Sequence, residues 1–250
     1  MLNIILPIAG RGSRFKVAGY QAPKPLIPVH GQPMIVVVIN NIQPQRFHRF
    51  IFLVLQEHLD KTNIQQVLED TCSNHIIIPV KEVTEGAACT VLLARHLIDS
   101  DDPLMIANTD QYVAININDY LAVSDQPDTD GLIMTFWAND PKWSFVKLNE
   151  FDLVTEVAEK SVISNEATVG IYNFKHGKHF VQAADRMISN NLRINNEFYV
   201  APTYNSLINK GAKIRIFNIG IEGKGMHGLG TPEDLETFLK IDFKDKKLPD

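Results

Sequence analysis

Near the start of the chain, glycine, arginine and lysine recur in a spacing suited to gripping an anion. Ala9-Gly10-Arg11-Gly12-Ser13-Arg14-Phe15 follows directly on the aliphatic run Ile4-Ile5-Leu6-Pro7-Ile8. Glycines just past a buried strand let the backbone turn sharply and present its N–H groups to an anion. Phe15 stands where a dinucleotide fingerprint needs a third small residue, and no Gly-Lys-Ser/Thr follows, so this is neither of the two commonest phosphate loops. Arg14 lies just beyond the glycines, and Lys24 follows within Pro23-Lys24-Pro25. Two cations on one loop could clamp a triphosphate from two sides. Asp110, in Asn108-Thr109-Asp110, sits at the C-terminal end of an expected strand, where ligands bind in parallel α/β sheets. It reads either as a metal carboxylate or as a cap for the next turn. Gln111 could order a metal water or read a ribose hydroxyl, against the default of an exposed glutamine. His176 and His179 lack a third ligand nearby, so they read as solvated histidines.

These residues need a frame. Ile4–Ile8, Phe50–Leu55, Ile76–Val80 and Leu104–Ala107 read as strands buried on both faces. Helical patterns lie between them at Gln32–Asn41, Asp60–Asp70 and Gly86–Leu97, whereas Gly10–His30 reads as a loop. That alternation predicts a mostly parallel sheet with helices on both faces. The second half changes character. Gly131–Ala138, Phe145–Leu148, Leu153–Ala158 and Ala167–Phe174 read as strands without long helices between them, predicting an antiparallel extension. Helices are expected at Gly177–Ser189 and Val200–Asn209, then a strand at Lys213–Ile219. A last helix begins at Thr231, whose hydroxyl can cap it ahead of Pro232. With no linker, repeat or charge block, residues 1–250 read as one domain. It comprises a first half at 1–112, a second half at 113–243 and a polar tail at 244–250 that is expected to fray.

Composition narrows the function classes. The 250 residues carry 24 basic and 29 acidic side chains, a formal net charge of -5. Without a basic run, neither nucleic acid nor an anionic membrane is an expected partner. The 2 cysteines, Cys72 and Cys89, exclude a disulfide scaffold or a four-cysteine zinc module. Met34–Ile39 is far too short an apolar run to span a bilayer, and Met1–Ala9 lacks a basic lead-in, so the expected location is cytoplasmic. Self-association is left open, since no exposed stripe marks an interface.

Several segments together resemble one family. Leu6-Pro7-Ile8-Ala9-Gly10-Arg11-Gly12-Ser13-Arg14-Phe15, then Pro23-Lys24-Pro25-Leu26 and Gly31-Gln32-Pro33-Met34-Ile35, resemble the signature of sugar-phosphate nucleotidyltransferases, or nucleotide-sugar pyrophosphorylases. The likeness continues through Glu85-Gly86-Ala87-Ala88, Asn108-Thr109-Asp110, Glu159-Lys160, Val169-Gly170-Ile171-Tyr172 and Gly230-Thr231-Pro232-Glu233. Asn108-Thr109-Asp110-Gln111 is most similar to the capsule-locus branch. The implied fold is α/β and Rossmann-like (GT-A-like), with a mostly parallel central sheet and an antiparallel sugar-binding extension. The implied reaction joins a nucleoside triphosphate to a sugar 1-phosphate, or a similar phosphorylated metabolite, and releases pyrophosphate.

The resemblance also implies roles. Leu6, Ala9, Gly10, Gly12, Ser13, Lys81, Gly86, Ala87 and Asn108 would bind the nucleotide. Arg14 would neutralise the departing pyrophosphate, Lys24 would hold the α-phosphate, and Asp110 would hold Mg²⁺. Glu159, Lys160, Gly170, Asn196 and Glu197 would bind the sugar phosphate. A second metal aspartate, expected two residues before Gly230, is replaced by Gly228 beside His227. Asp110 and the phosphates could suffice, His227 or another residue could take part, or the chain could bind without turnover. The readings outside this reaction are a glycosyltransferase of similar architecture and a non-catalytic nucleotide sensor.

Overall fold

The computed structural model describes residues 1–241, so the expected tail at 244–250 and the last residues of the second half lie outside it. One nine-stranded sheet runs through the described residues. Its main path passes from Val154–Glu159 through Ser144–Leu148, Glu166–Phe174, Leu104–Ala107, Leu2–Ile8 and His48–Leu55 to His75–Val80. The last four strands are mutually parallel, as the alternating first half requires. Glu166–Phe174 joins them antiparallel to Leu104–Ala107. It also pairs with Gly131–Trp137, which pairs in parallel with Ile214–Ile221. The mostly parallel α/β sheet with an antiparallel extension is thus the observed architecture.

The core lies on both faces of this sheet. Side chains alternate along Leu2–Ile8: Ile4, Leu6 and Ile8 pack with the helix Met34–Ile42, while Ile5 packs with Ala88, Val91 and Phe180 on the opposite face. Burying each such aliphatic side chain contributes about 1.5–3 kcal/mol. Packing on two faces is why these strands carry long apolar runs instead of alternating with polar residues.

Several boundaries depart from the sequence reading. The expected loop Gly10–His30 contains a short helix, Ser13–Val17, a 3₁₀ turn at Lys24–Leu26 and a strand at Pro28–Val29. The helix starts where Gly12 turns left-handed, at φ +59°. The single helix expected at Asp60–Asp70 is two, Gln56–Lys61 and Ile64–Thr71. The break falls at Thr62, whose backbone is extended at φ −139° and whose hydroxyl accepts the Ile64 N–H at the start of the second helix. Gly86–Leu97 is likewise divided, into Ala87–Leu92 and Arg95–Ile98. Sequence reading missed the helix Ile117–Ser124, capped by the Asn116 side chain. It also missed the antiparallel pair Gln111–Val113 with Met226–Gly228. That small pair matters, because it brings the C-terminal segment beside Asp110. No helix among the described residues is long and apolar enough to cross a membrane.

Candidate active site

Two neighbouring strands, Leu2–Ile8 and Leu104–Ala107, end at the same edge of the sheet and release their following loops into one cleft. Gly12 has to be glycine on two counts. Its φ is +59°, and an added Cβ would stand 3.1 Å from Lys24 Cβ. The turn therefore brings the Lys24 loop hard against the glycine loop. Gly10, Gly12, Ser13, Arg14, Lys24 and Asp110 line a cavity of about 370 Å³. Within it Lys24 Nζ donates to Asp110 Oδ2 at 2.9 Å. The two charges expected to meet a ligand thus meet each other.

A second cavity of about 660 Å³ opens from the first, sharing Arg14, Ala87, Asn108, Asp110 and Gly230 with it. Glu159, Lys160, Gly170 and Glu197 line this larger half. Glu159 is only 9% exposed and accepts a hydrogen bond from Ser144 Oγ. Burial pushes its carboxyl above the usual carboxylate range, against the opposing pull of Ser144 and the Lys160 charge. Lys160, left-handed at φ +54°, donates to Tyr199 OH at 2.7 Å. That bond raises its ammonium above the ordinary lysine value.

Gly170 closes the seam between the two halves. Its carbonyl accepts the Asn108 N–H at 2.9 Å, and its φ is +97°. A Cβ there would run into the side-chain amides of Asn108 and Gln111. Gln111, expected at the surface, is 7% exposed and its Nε2 has no hydrogen-bond partner among the described residues. The residue lines the larger cavity, but its Nε2 is packed away beside Gly170.

Other expected residues fall outside the cleft. Leu6 and Ala9 are buried and support the loop from beneath without lining either cavity. Lys81 is exposed on its loop and lines neither cavity. Gly86 stands behind Ala87, where an added Cβ would lie 2.5 Å from the Phe198 backbone. Ala88 N donates to Phe198 O and Phe198 N to Glu85 O, tying that loop to the Glu197 segment. Asn196, left-handed at φ +65°, lines neither cavity, although its neighbour Glu197 does. His227 is 8% exposed, with its ring against Tyr112 and Phe238, so it faces the core and not the cleft. Trp143, Ser144, Tyr172 and Asp234 line the larger cavity and were missed. Only Asp234 carried a signal: Thr231-Pro232-Glu233-Asp234 is a helix-start pattern that fixes where its fourth residue points.

No cluster of three or more histidine, cysteine, aspartate or glutamate side chains that could hold a metal occurs among the described residues. A cation kept mainly by phosphate and water oxygens needs only one or two carboxylates. The glycine segment fits that case. A Cβ at Gly230 would stand 3.2 Å from Asp110 Oδ2, so the segment leaves this carboxylate room on the cleft side. Asp110 could therefore hold such an ion.

Known proteins share this fold. The chain is 25% identical to the nucleoside-diphosphate-sugar pyrophosphorylase of Vibrio cholerae RC9, whose crystal structure superposes with a TM-score of 0.78 over 96% of this chain and 100% of that one. It is 22% identical over 242 residues to the UTP–glucose-1-phosphate uridylyltransferase AglF of Haloferax volcanii, covering 93% of each chain. It is 25% identical over 183 residues to the bifunctional protein GlmU of Methanococcus maripaludis, a match spanning 70% of this chain and 40% of that protein. The inositol-1-phosphate CTP transferase of T. maritima shares the fold, with a TM-score of 0.73 at 15% identity. Residues 2–200, which carry the glycine loop, Asp110 and the Glu159-Lys160 pair, match the family model described as Nucleotidyl transferase, and the chain belongs to that family.

Proposed function

We propose that this protein joins a nucleoside triphosphate to a sugar 1-phosphate, or a similar phosphorylated metabolite, with release of pyrophosphate. One observation carries the reading: a cavity holding Arg14, Lys24 and Asp110 opens directly into one holding Glu159 and Lys160. Two anionic substrates can then lie end to end with their phosphates meeting at the shared wall.

The chemistry asks little of the protein beyond position and charge. A phosphate oxygen is already a nucleophile at neutral pH, so no activating base is needed. That oxygen attacks the α-phosphorus, a new O–P bond forms, and the bond to the β-phosphate oxygen breaks with its electron pair leaving on pyrophosphate. Gly10, Gly12 and Ser13 present backbone to the phosphate tail. Lys24 stabilises charge gathering on the α-phosphate, and Arg14 neutralises the leaving pyrophosphate. Lys160 holds the incoming phosphate, and Glu159 accepts from a hydroxyl of the second substrate. A divalent cation such as Mg²⁺, held by Asp110, would offset phosphate charge when bound.

The Asn108-Thr109-Asp110-Gln111 segment supports a finer reading, as a cytoplasmic enzyme supplying precursors for a surface polysaccharide. Incubating the protein with each of the four triphosphates, Mg²⁺ and a panel of sugar 1-phosphates is expected to release pyrophosphate with one pairing. Silence across a broad panel overturns the reading. Release of a nucleoside diphosphate from a nucleotide sugar instead points to glycosyl transfer.

A further inference from the structure

Glu159 and Ser144 face each other in direct register across the antiparallel strands Val154–Glu159 and Ser144–Leu148. Two residues before Glu159, the Asn205 side chain accepts the Val157 N–H at 2.9 Å and donates to the Val157 C=O at 2.8 Å, from outside this ladder. Backbone direction alternates along a strand, so Glu159 also turns its N–H and C=O away from the facing strand. Its successor Lys160 points back, donating its N–H to Trp143 O at 3.0 Å, as the alternation requires. Glu159 and Ser144 thus form a non-hydrogen-bonded pair, the kind in which facing side chains stand closest. That closeness is why Ser144 Oγ reaches Glu159 Oε2 and donates to it. Both residues are 9% exposed, and both line the larger cavity.

Ser144 is the one side chain among the described residues that hydrogen-bonds this carboxyl, and it engages a single oxygen. Oε1 is left for a ligand hydroxyl. The charges around the pair act from several elements. Lys160 favours the ionised carboxylate, and Glu197 on the facing loop opposes it. Tyr199, on the same loop, takes the Lys160 ammonium on its hydroxyl. Tyr172, from Glu166–Phe174, is buried with its hydroxyl 2.9 Å from Thr168 Oγ1, and burial keeps the phenol neutral. Lys142, just before Ser144, holds its ammonium over the Trp143 ring. Arg14, Asp110 and Asp234 line the same cavity. Arg186 and Arg193 border Glu159 in a separate cavity of about 560 Å³, where Arg193 is spent on Glu85.

We propose that Ser144 is a positioning residue for the second substrate: its hydroxyl holds Glu159 ionised and fixed in the larger cavity, where the carboxylate accepts from a substrate hydroxyl. The assignment rests on reading that cavity as the seat of the second substrate. A hydroxyl has one proton to donate, and Ser144 gives it to Oε2. A bond donated to the charged form of a carboxyl favours that form, whereas burial favours the neutral one. Without Ser144, burial acts with only Lys160 against it. A protonated Glu159 carries a donor where the substrate hydroxyl needs an acceptor.

The test follows Glu159 in the full chain by carbon-13 resonance of labelled glutamate carboxyls, its signal assigned by loss in Glu159→Gln. The wild-type midpoint is expected above the ordinary glutamate value, and Ser144→Ala should raise it further by about one pH unit. With the substrate pair that releases pyrophosphate, KM for the second substrate in Ser144→Ala should rise up to about tenfold below both midpoints. Above them it should return to the wild-type value, with kcat unchanged throughout. Adding Ser144→Ala to Glu159→Gln should introduce no further pH dependence. An unmoved midpoint overturns the proposal. So does a KM raised equally at every pH, the result that a lost packing contact gives. If Ser144→Ala does not fold, Ser144→Cys takes its place with the same upward shift expected, because a thiol donates far more weakly. If the midpoint moves as expected while no substrate pair releases pyrophosphate, the hold of Ser144 on Glu159 stands and the nucleotidyl-transfer reading falls.

Discussion

Glu159 sits buried against Ser144 with its proton affinity raised, and burial is the larger cause. A carboxyl that binds protons more tightly when folded makes the folded state take up more protons than the unfolded one between the two values. Its contribution to stability is therefore fully present below the unfolded value and fades as pH rises through the raised one. Glu159→Gln is expected to remove that slope, so the stability difference between variant and wild type should shift in favour of the variant as pH rises across this window. Melts at a series of acidic and neutral pH values check it. Affinity for the second substrate should run the opposite way in the wild type, falling as acid protonates Glu159. Lys24→Ala and Asp110→Ala should each lower turnover by about 10²–10³-fold, the scale of losing one charged transition-state contact. Their stability should change by only about 0–1 kcal/mol, since the pair is partly exposed. An unchanged turnover in either variant, measured by pyrophosphate release, removes it from the mechanism. The identities of these residues were legible in the sequence, because a glycine turn followed by cations has few other uses. Their mutual ion pair was not, since it depends on how closely the Lys24 loop approaches Gly12. Gln111 was misread because a glutamine after a strand is ordinarily exposed, and only the return of Met226–Gly228 along Gln111–Val113 buries it.

At the scale of elements, the strand Glu166–Phe174 carries the sharpest constraint. Gly170 at φ +97° interrupts its pairing with Gly131–Trp137, whose register shifts between Thr168 and Tyr172. The kink turns the Gly170 carbonyl to Asn108 and opens the larger cavity beside it. Gly170→Ala is expected to cost about 1–3 kcal/mol in denaturant unfolding through backbone strain alone. It should also raise KM for the second substrate more than for the triphosphate. Thr231→Ala should lower stability by about 1 kcal/mol by deleting the cap of Pro232–Leu239. Strands buried on both faces and the C-terminal cap were readable because each has its own local pattern. The divided helices were not. The extended backbone at Thr62, whose hydroxyl accepts the Ile64 N–H, is a local change that leaves the apolar spacing of the neighbouring turns intact.

Over the whole molecule, one sheet carries both cavities, because Leu104–Ala107 is hydrogen-bonded to Leu2–Ile8 on one side and Glu166–Phe174 on the other. No break in pairing separates the first half from the second. The expected consequence is a single unfolding transition. Trp137 and Trp143 both lie in the antiparallel extension, whereas helices are spread over the fold, so indole fluorescence and far-ultraviolet dichroism sample different regions. Their denaturant midpoints should coincide; separated midpoints would divide the chain into two folding units. The ion pair between Lys24 and Asp110 bears on the molecule as a whole in another way. Each charge already satisfies the other, so an anion arriving alone gains the ammonium only by orphaning the acid, and a cation arriving alone does the reverse. Arriving together, the two visitors part the pair with neither half left bare. Each should then tighten the other's hold by the same factor, a reciprocity that thermodynamic linkage demands.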